Sequence, residues 1–442
     1  MKLTVVCCLC AATSLAAASG LAAAGPLTAK DVKLDGMKLT IVPYDYSVQI
    51  EPLPIHKYTH TAALKPGTPG WGGPVYLPRV AWTFRAMTPG SLVVTPADQP
   101  DTKLAKGADY LLDPDWATLA HAKGSKHPAG TKLKFSYTCT GSRFDLIERT
   151  AAGKIVLTKG VEDPKGQPHL PEFTSGRTPL LSVYLAPNTT KLTMANINLI
   201  DLEAIKDAPV SGAEHLAGLR EKLRAGKGVT IVFVGDSITA QTSKDFRDGR
   251  GSFVDRTAAY LQKRYPGRKV TVTPRSQVVR PGEKQIVVVK AGVGGDDTPR
   301  GLRRIDKDVL AHKPDAVVMM FGVNDENKRG SGNSVPVPKY KANLTAMVEK
   351  VQAAGGEVFL MTTSMKNLDW IGTVGNLDEY AAAARQVAKA RKACLVDNFK
   401  SWQELPKRGY NYMVYLGTCI NHPCDLGHEL FFQNLKAALE AN

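Results

Sequence analysis

From about Pro26 to Ile205, apolar and polar positions alternate in short runs broken by Pro/Gly turns. Such runs occupy Lys38–Val42, Val75–Phe84, Lys132–Tyr137, Lys154–Leu157, Leu180–Leu185 and Lys191–Ile200. A period of two predicts strands with one buried face. Pro66-Gly67-Thr68-Pro69-Gly70 and Pro89-Gly90 read as turns. Helical periodicity is nearly absent, so residues 25–206 are expected to form a β-sandwich or jelly-roll-like domain.

The pattern then changes. Residues 207–228 read as a linker and a helix, Ala213–Ala225, ended by Gly226. Beyond them, buried β-branched or apolar runs (Val229–Val234, Ile286–Val289, Ala316–Phe321, Val358–Thr362, Leu395–Val396) alternate with helical periods. The helices are predicted over Ser252–Tyr265, Gly301–His312, Lys339–Ala354, Leu377–Ala393 and about Gly427–Ala441. Short buried strands alternating with helices predict an α/β domain over 229–442, with a parallel sheet between two helical layers. In such sheets, sites form at the carboxyl ends of the strands.

Those ends carry the candidate chemistry. Gly235-Asp236-Ser237 follows the first strand, Gly292-Val293-Gly294-Gly295-Asp296-Asp297-Thr298 a second, and Gly322-Val323-Asn324-Asp325 a third. A serine between a buried strand and a helix can project its hydroxyl at the top of the sheet. The glycines let backbone N–H groups approach a reacting oxygen, and Asn324 offers an amide donor. One nucleophile with several donors is equipment for acyl transfer through an oxyanion. A base is still needed. Beyond Val229 the histidines are His312, His422 and His428. His312 precedes its strand and so falls at the wrong end of the sheet.

These blocks resemble the SGNH (GDSL-type) hydrolases. The resemblance covers about Val229 to Asn442 and implies Ser237 as nucleophile, with Gly295 and Asn324 joining the Ser237 N–H in the oxyanion hole. It implies His422 as general base, followed by Pro423 and Gly427-His428. Asp236 and Asp325 are expected to support the loops. One position departs from the family pattern: Cys419 stands where the triad Asp is usual, and Asp-x-x-His spacing occurs instead at Asp425 and His428. Either a main-chain carbonyl orients His422 or a carboxylate arrives from elsewhere, Asp397 being one source. Trp370, in the loop after Val358–Thr362, is either a sugar-stacking platform or core.

Composition narrows the setting. Lys plus Arg outnumber Asp plus Glu by 57 to 41, a formal net charge of +16. The excess is spread along the chain and reads first as a solvated basic surface, and otherwise as attraction to an acidic partner such as a uronic-acid polysaccharide or a wall polymer. With no nucleic-acid motif beside it, nucleic acid is the weakest of these partners. Lys2, the apolar run Leu3–Ala18 and Ala22-Ala23-Ala24 predict a signal segment over 1–24 and a secreted or periplasmic protein. Cys139, Cys394, Cys419 and Cys424 remain after it; Cys419 and Cys424 are the expected disulfide, against four reduced thiols. No metal, organic cofactor or transmembrane span is expected. The layout resembles carbohydrate acetylesterases in which a β-rich module precedes an SGNH domain. It implies removal of short acyl groups from acetylated polysaccharides such as xylan or pectin. The alternatives are a lipolytic or aryl esterase, a wall-polymer O-acetyltransferase, and a glycan-binding protein with a decayed esterase domain.

Overall fold

The computed structural model describes residues 25–81, 83–205, 209–417 and 420–441. The signal segment predicted over 1–24 lies outside them, as does Cys419.

The N-terminal region consists of small antiparallel sheets around two cores. Strands Val32–Asp35, Lys38–Ile41 and Tyr46–Gln49 form one sheet; Ile155–Lys159, Arg143–Thr150, Arg177–Leu185 and Ile197–Leu199 form another. Leu39, Ile41, Ile147, Leu181 and Val183 are buried together in the first core. Two three-stranded sheets, one built on His56–Ala63, Lys132–Cys139 and Val93–Pro96, the other on Val75–Tyr76, Thr118–His121 and Tyr110–Asp113, surround the second, with Val94, Leu119 and Phe135 inside. The run expected as one strand over Val75–Phe84 stops at Tyr76. Pro78 lacks an N–H for a ladder, and Arg79 takes a left-handed φ of 70° that turns the chain. Over Lys191–Ile200, only Ile197–Leu199 is strand. Before it, a short 3-10 turn is held by Thr193 N–H donating to Asn196 Oδ1 at 2.8 Å.

The C-terminal region is built on a seven-stranded sheet. Its order is Val210–Ser211, Cys394–Val396, Glu357–Met361, Ala316–Met320, Val229–Gly235, Gln285–Gly292 and Lys269–Pro274. All pairings are parallel except that of Val210–Ser211 at one edge. Every residue of Val229–Gly235 is buried, as expected for a central strand covered on both faces. The helices pack in two groups: Phe253–Arg264 with Asp425–Glu440, and Thr298–Asp308 with Val337–Ala353 and Leu377–Ala390. Lys269–Pro274 is an additional strand that the hydrophobic pattern did not predict. It lies at the sheet edge, where partly exposed Lys, Thr and Val leave no apolar run.

Register brings the loops together. Gly235 pairs with Gly292 on one side and with Met320 on the other, so three neighbouring strands end at one level. The turn after Gly235 lies directly on Gly292. A Cβ added there would meet Ala240 N at 2.5 Å, Thr239 C at 2.7 Å and Asp236 O at 2.9 Å. These are backbone atoms, which cannot yield as a flexible side chain can. Gly292→Ala is therefore expected to cost about 1–3 kcal/mol, the usual range for overpacking, in urea or thermal unfolding. A change of a few tenths would show that the turn is not seated on this glycine.

Candidate active site

Asp236 ends the central strand in extended conformation and caps the short helix Ser237–Ala240, accepting from Ile238 N–H at 2.9 Å. This cap sets Ser237 at the first helical position. There Ser237 Oγ meets His422 Nε2 at 2.8 Å, across 185 residues of sequence. Between them the two supply a hydroxyl and a base within proton-transfer reach.

The other two strand ends are joined beside this pair. Gly295 has a φ of 76°, a conformation that favours glycine, and its carbonyl accepts from Arg300 Nη1 at 2.7 Å. The Asn324 amide Nδ2 donates to Asp296 O at 2.9 Å, bringing the two predicted oxyanion loops into contact. Asp325 fastens them again, accepting from both the backbone N–H and the hydroxyl of Thr298. Burial pushes the Asp236 carboxyl up to about 7 and that of Asp325 up to about 6.

Arg304 is a residue that sequence reasoning missed. Its guanidinium donates to Gly235 O at 2.9 Å, Ala291 O at 2.7 Å and the Asp296 carboxylate at 2.6 Å. One planar fork thus ties the nucleophile strand to the glycine-rich loop. Nothing in the sequence separates Arg304 from Arg300 or Arg303; only the turn of the helix does.

Burial lowers the His422 pKa below its ordinary 6.5, while Asp245 acts in the opposite sense. Asp245 was not among the expected residues. It is exposed and bonded to Thr242, with Thr242 N–H donating to its carboxylate at 2.7 Å. Cys419 lies outside the described residues. Asp397 is committed elsewhere, accepting from Arg385 Nε at 2.7 Å and Thr362 Oγ1 at 3.0 Å. Asp425 starts the last helix, and main-chain groups of Asp248 and Arg247 face its half-buried carboxyl. Cys139, Cys394 and Cys424 are buried free thiols. Cys424 Sγ donates to Val414 O at 3.2 Å; the disulfide expected between it and Cys419 lies outside the described residues.

His428 is fully buried with both ring nitrogens engaged. Phe253 N–H donates to Nδ1 at 3.0 Å, which leaves Nε2–H to donate to Gln241 Oε1 at 2.9 Å. That pattern requires the neutral ring, and burial drives the pKa well below 6.5. Lys366 is a buried cation with full satisfaction: its Nζ donates to Glu326 at 2.6 Å, Asn327 Oδ1 at 2.6 Å and Val323 O at 3.1 Å. Asn327 in turn lies 3.4 Å from Asn324 Oδ1. Trp370 is half-buried against Phe84, Trp116 and Ile420, with Lys366 Nζ 5.1 Å from its ring centroid. Among the described residues, no group of three or more His, Cys, Asp or Glu could hold a metal ion, and no helix is long and apolar enough to cross a membrane.

Two stability measurements follow. His422 and His428 have folded pKa values below the unfolded value of 6.5, so the unfolded chain takes up protons first as pH falls. The histidine contribution to the unfolding free energy should hold above about pH 6.5 and drop progressively below it. It is opposed by Asp236 and Asp325, whose raised carboxyls take up protons first in the folded chain. The difference between the parent and His428→Gln, measured against pH, should isolate that drop. Lys366→Met leaves Glu326 charged and buried, and should cost about 3–5 kcal/mol. A loss under 1 kcal/mol would show that the pair is not dry.

Residues 233–430 match the GDSL-like Lipase/Acylhydrolase family. An acetylxylan esterase of Geobacillus stearothermophilus is 28% identical over 213 residues, 47% of this chain and 91% of that protein. The uncharacterized lipoprotein YqeF of Bacillus subtilis (strain 168) is 28% identical over 134 residues, 30% of this chain and 47% of that protein. Among solved structures, the acetylxylan esterase Axe2 of Geobacillus stearothermophilus aligns at 22% identity with a TM-score of 0.39, covering 49% of this chain and 96% of that one. The C-terminal region of this chain is a GDSL-like lipase/acylhydrolase domain of the SGNH esterase family, and the protein is a carboxylic ester hydrolase.

Proposed function

We propose that the protein removes acetyl groups from acetylated polysaccharides, with Ser237 as nucleophile and His422 as general base. The 2.8 Å contact between Ser237 Oγ and His422 Nε2 carries this reading. His422 takes the hydroxyl proton as Oγ bonds to the ester carbonyl carbon. The oxyanion so formed is held by the N–H groups of Ser237 and Gly295 and by the Asn324 amide, whose second hydrogen is left over from its bond to Asp296. Collapse breaks the bond to the sugar oxygen, which leaves with the proton from His422. Water, deprotonated by the same ring, then frees acetate and restores Ser237. For Nε2 to accept, the second proton must sit on Nδ1, where a main-chain carbonyl would hold it as well as a carboxylate.

The similarity to a protein named acetylxylan esterase supports acetyl as the acyl group and a glycan as its carrier. The excess of basic side chains suits a uronate-bearing polymer. The β-rich region 25–206 serves as an accessory module to the catalytic domain 229–442, and the protein acts after export.

Acetate release from native acetylated xylan and pectin tests the reading. Ser237→Ala and His422→Ala should each lower kcat by about 10⁴-fold or more, the scale found when members of such a unit are removed. Residual activity unchanged in Ser237→Ala would end the nucleophile assignment, and a rate rising with acyl length would replace acetyl glycans by lipids. The pH profile of kcat/KM gives a separate check. Because burial lowers the pKa of His422, the ring stays neutral to a pH below 6.5, and the acid limb should fall there. Asp245→Asn removes the opposing charge and should move that limb lower still; a shift upward would contradict the assignment of His422.

A further inference from the structure

A cavity of about 330 Å³ lies where the β-rich region meets the catalytic domain. Its size is at the lower end for small-molecule sites, which span about 300–1,000 Å³. Arg79 and Thr83 line it from the turn after Val75–Tyr76, Lys165 and Gln167 from a second turn, and Arg247 and Gly417 from the catalytic domain. Three cationic side chains thus face one space, and no carboxylate is among the lining residues.

The catalytic wall of this cavity is the framework of the reacting pair. Arg247 belongs to the loop that follows the Ser237–Ala240 helix, and its main chain faces Asp425, just past His422. Gly417 lies beside the segment that follows His422: a Cβ built on it would lie 3.2 Å from Cys424 Cβ and 2.7 Å from Gln167 Nε2. The cavity thus borders the segments that carry Ser237 and His422.

The cations are positioned by the protein. Arg79 is held at a φ of 70°, a conformation that side-chain-bearing residues rarely adopt and that clusters at functional sites. Its guanidinium sits 5.8 Å from the Tyr58 ring centroid. Asp163 pairs with Arg247 at 3.2 Å from outside the lining, and its other oxygen accepts from the N–H groups of Lys165 and Gln167 at 2.8 and 3.1 Å. It fixes the second turn while balancing one of the three charges. Arg79 and Lys165 make no ion pair among the described residues.

We propose that this cavity is a subsite for the carboxylate of a uronic-acid residue next to the acetylated sugar. The inference rests on the glycan reading above and narrows it to acidic polysaccharides. A guanidinium fork matches a carboxylate in two parallel hydrogen bonds, Lys165 adds a point charge, and Thr83 and Gln167 offer partners to sugar hydroxyls.

The test is binding to the Ser237→Ala protein, which needs no turnover. Calorimetry at low salt compares a deacetylated glucuronate-bearing xylo-oligosaccharide with its neutral counterpart. The acidic ligand should bind about tenfold more tightly, the scale of one charge-assisted hydrogen bond, with the advantage shrinking as salt is raised. Adding Arg79→Gln with Lys165→Gln should bring the two affinities together, while circular dichroism and the melting temperature confirm the fold. Equal affinities in the parent, an acidic preference that survives the double substitution, no binding of either ligand, or a stronger preference for a phosphodiester-bearing glycan would each overturn the subsite. Failure to release acetate would remove the esterase reading and leave this binding result standing on its own.

Discussion

The Ser237–His422 contact joins residues 185 positions apart, and a neutral histidine beneath it holds the two loops in place. His428 lies six residues beyond His422, in the first part of the last helix, Asp425–Glu440. Through its two ring nitrogens it bonds Phe253 N–H at the start of one helix and Gln241 at the end of the nucleophile turn. The imidazole therefore fixes three segments at once, each by a directed hydrogen bond in a dry setting where an unmade bond is costly. Around it, Phe246, Phe253 and Phe431 exclude water. His422 meets the Ser237 hydroxyl, whereas both ring nitrogens of the fully buried His428 are bonded to the frame.

The oxyanion side is held by a different chemistry. Arg304 reaches carbonyls on two adjacent strands and the Asp296 carboxylate, so the strand ends cannot slide relative to each other without breaking charge-assisted bonds. Asp325 pulls the start of the Thr298–Asp308 helix onto the Asn324 loop. Farther out, the Lys366–Glu326 pair links that loop to the segment 373–375, whose Thr373 hydroxyl and Val374 N–H also donate to Glu326. In the proposed reaction the donors at Gly295 and Asn324 are thus preorganised by ion pairs at increasing depth, so that little rearrangement is needed when charge develops.

The N-terminal region adds to this frame. Phe84 and Trp116 pack with Ile420 and Trp370, Arg85 pairs with Asp369 at 3.2 Å, and Ser182 Oγ donates to Gly409 O at 2.5 Å. These contacts fall on the segments that flank His422 and on the loop after Glu357–Met361. The β-rich region thus packs directly against these segments.

The sequence by itself determined the α/β alternation of the C-terminal half and the strand ends at which chemistry collects, because buried parallel strands write continuous apolar runs and tight turns demand glycine. It also determined the Ser237, Gly295, Asn324 and His422 blocks, since each is local. What it left open required side chains from distant segments. The edge strand Lys269–Pro274 lacks an apolar run, and the run Val75–Phe84 breaks where Arg79 turns left-handed. Arg304, Asp245 and Lys366 look like any other charged residues until the helix and loops are placed. Only the tertiary structure decided that Trp370 lies among Phe84, Trp116 and Ile420, that Asp397 is spent on Arg385, and that three cations meet at one cavity. Those outcomes depend on three-dimensional distance, which no spacing along the chain encodes.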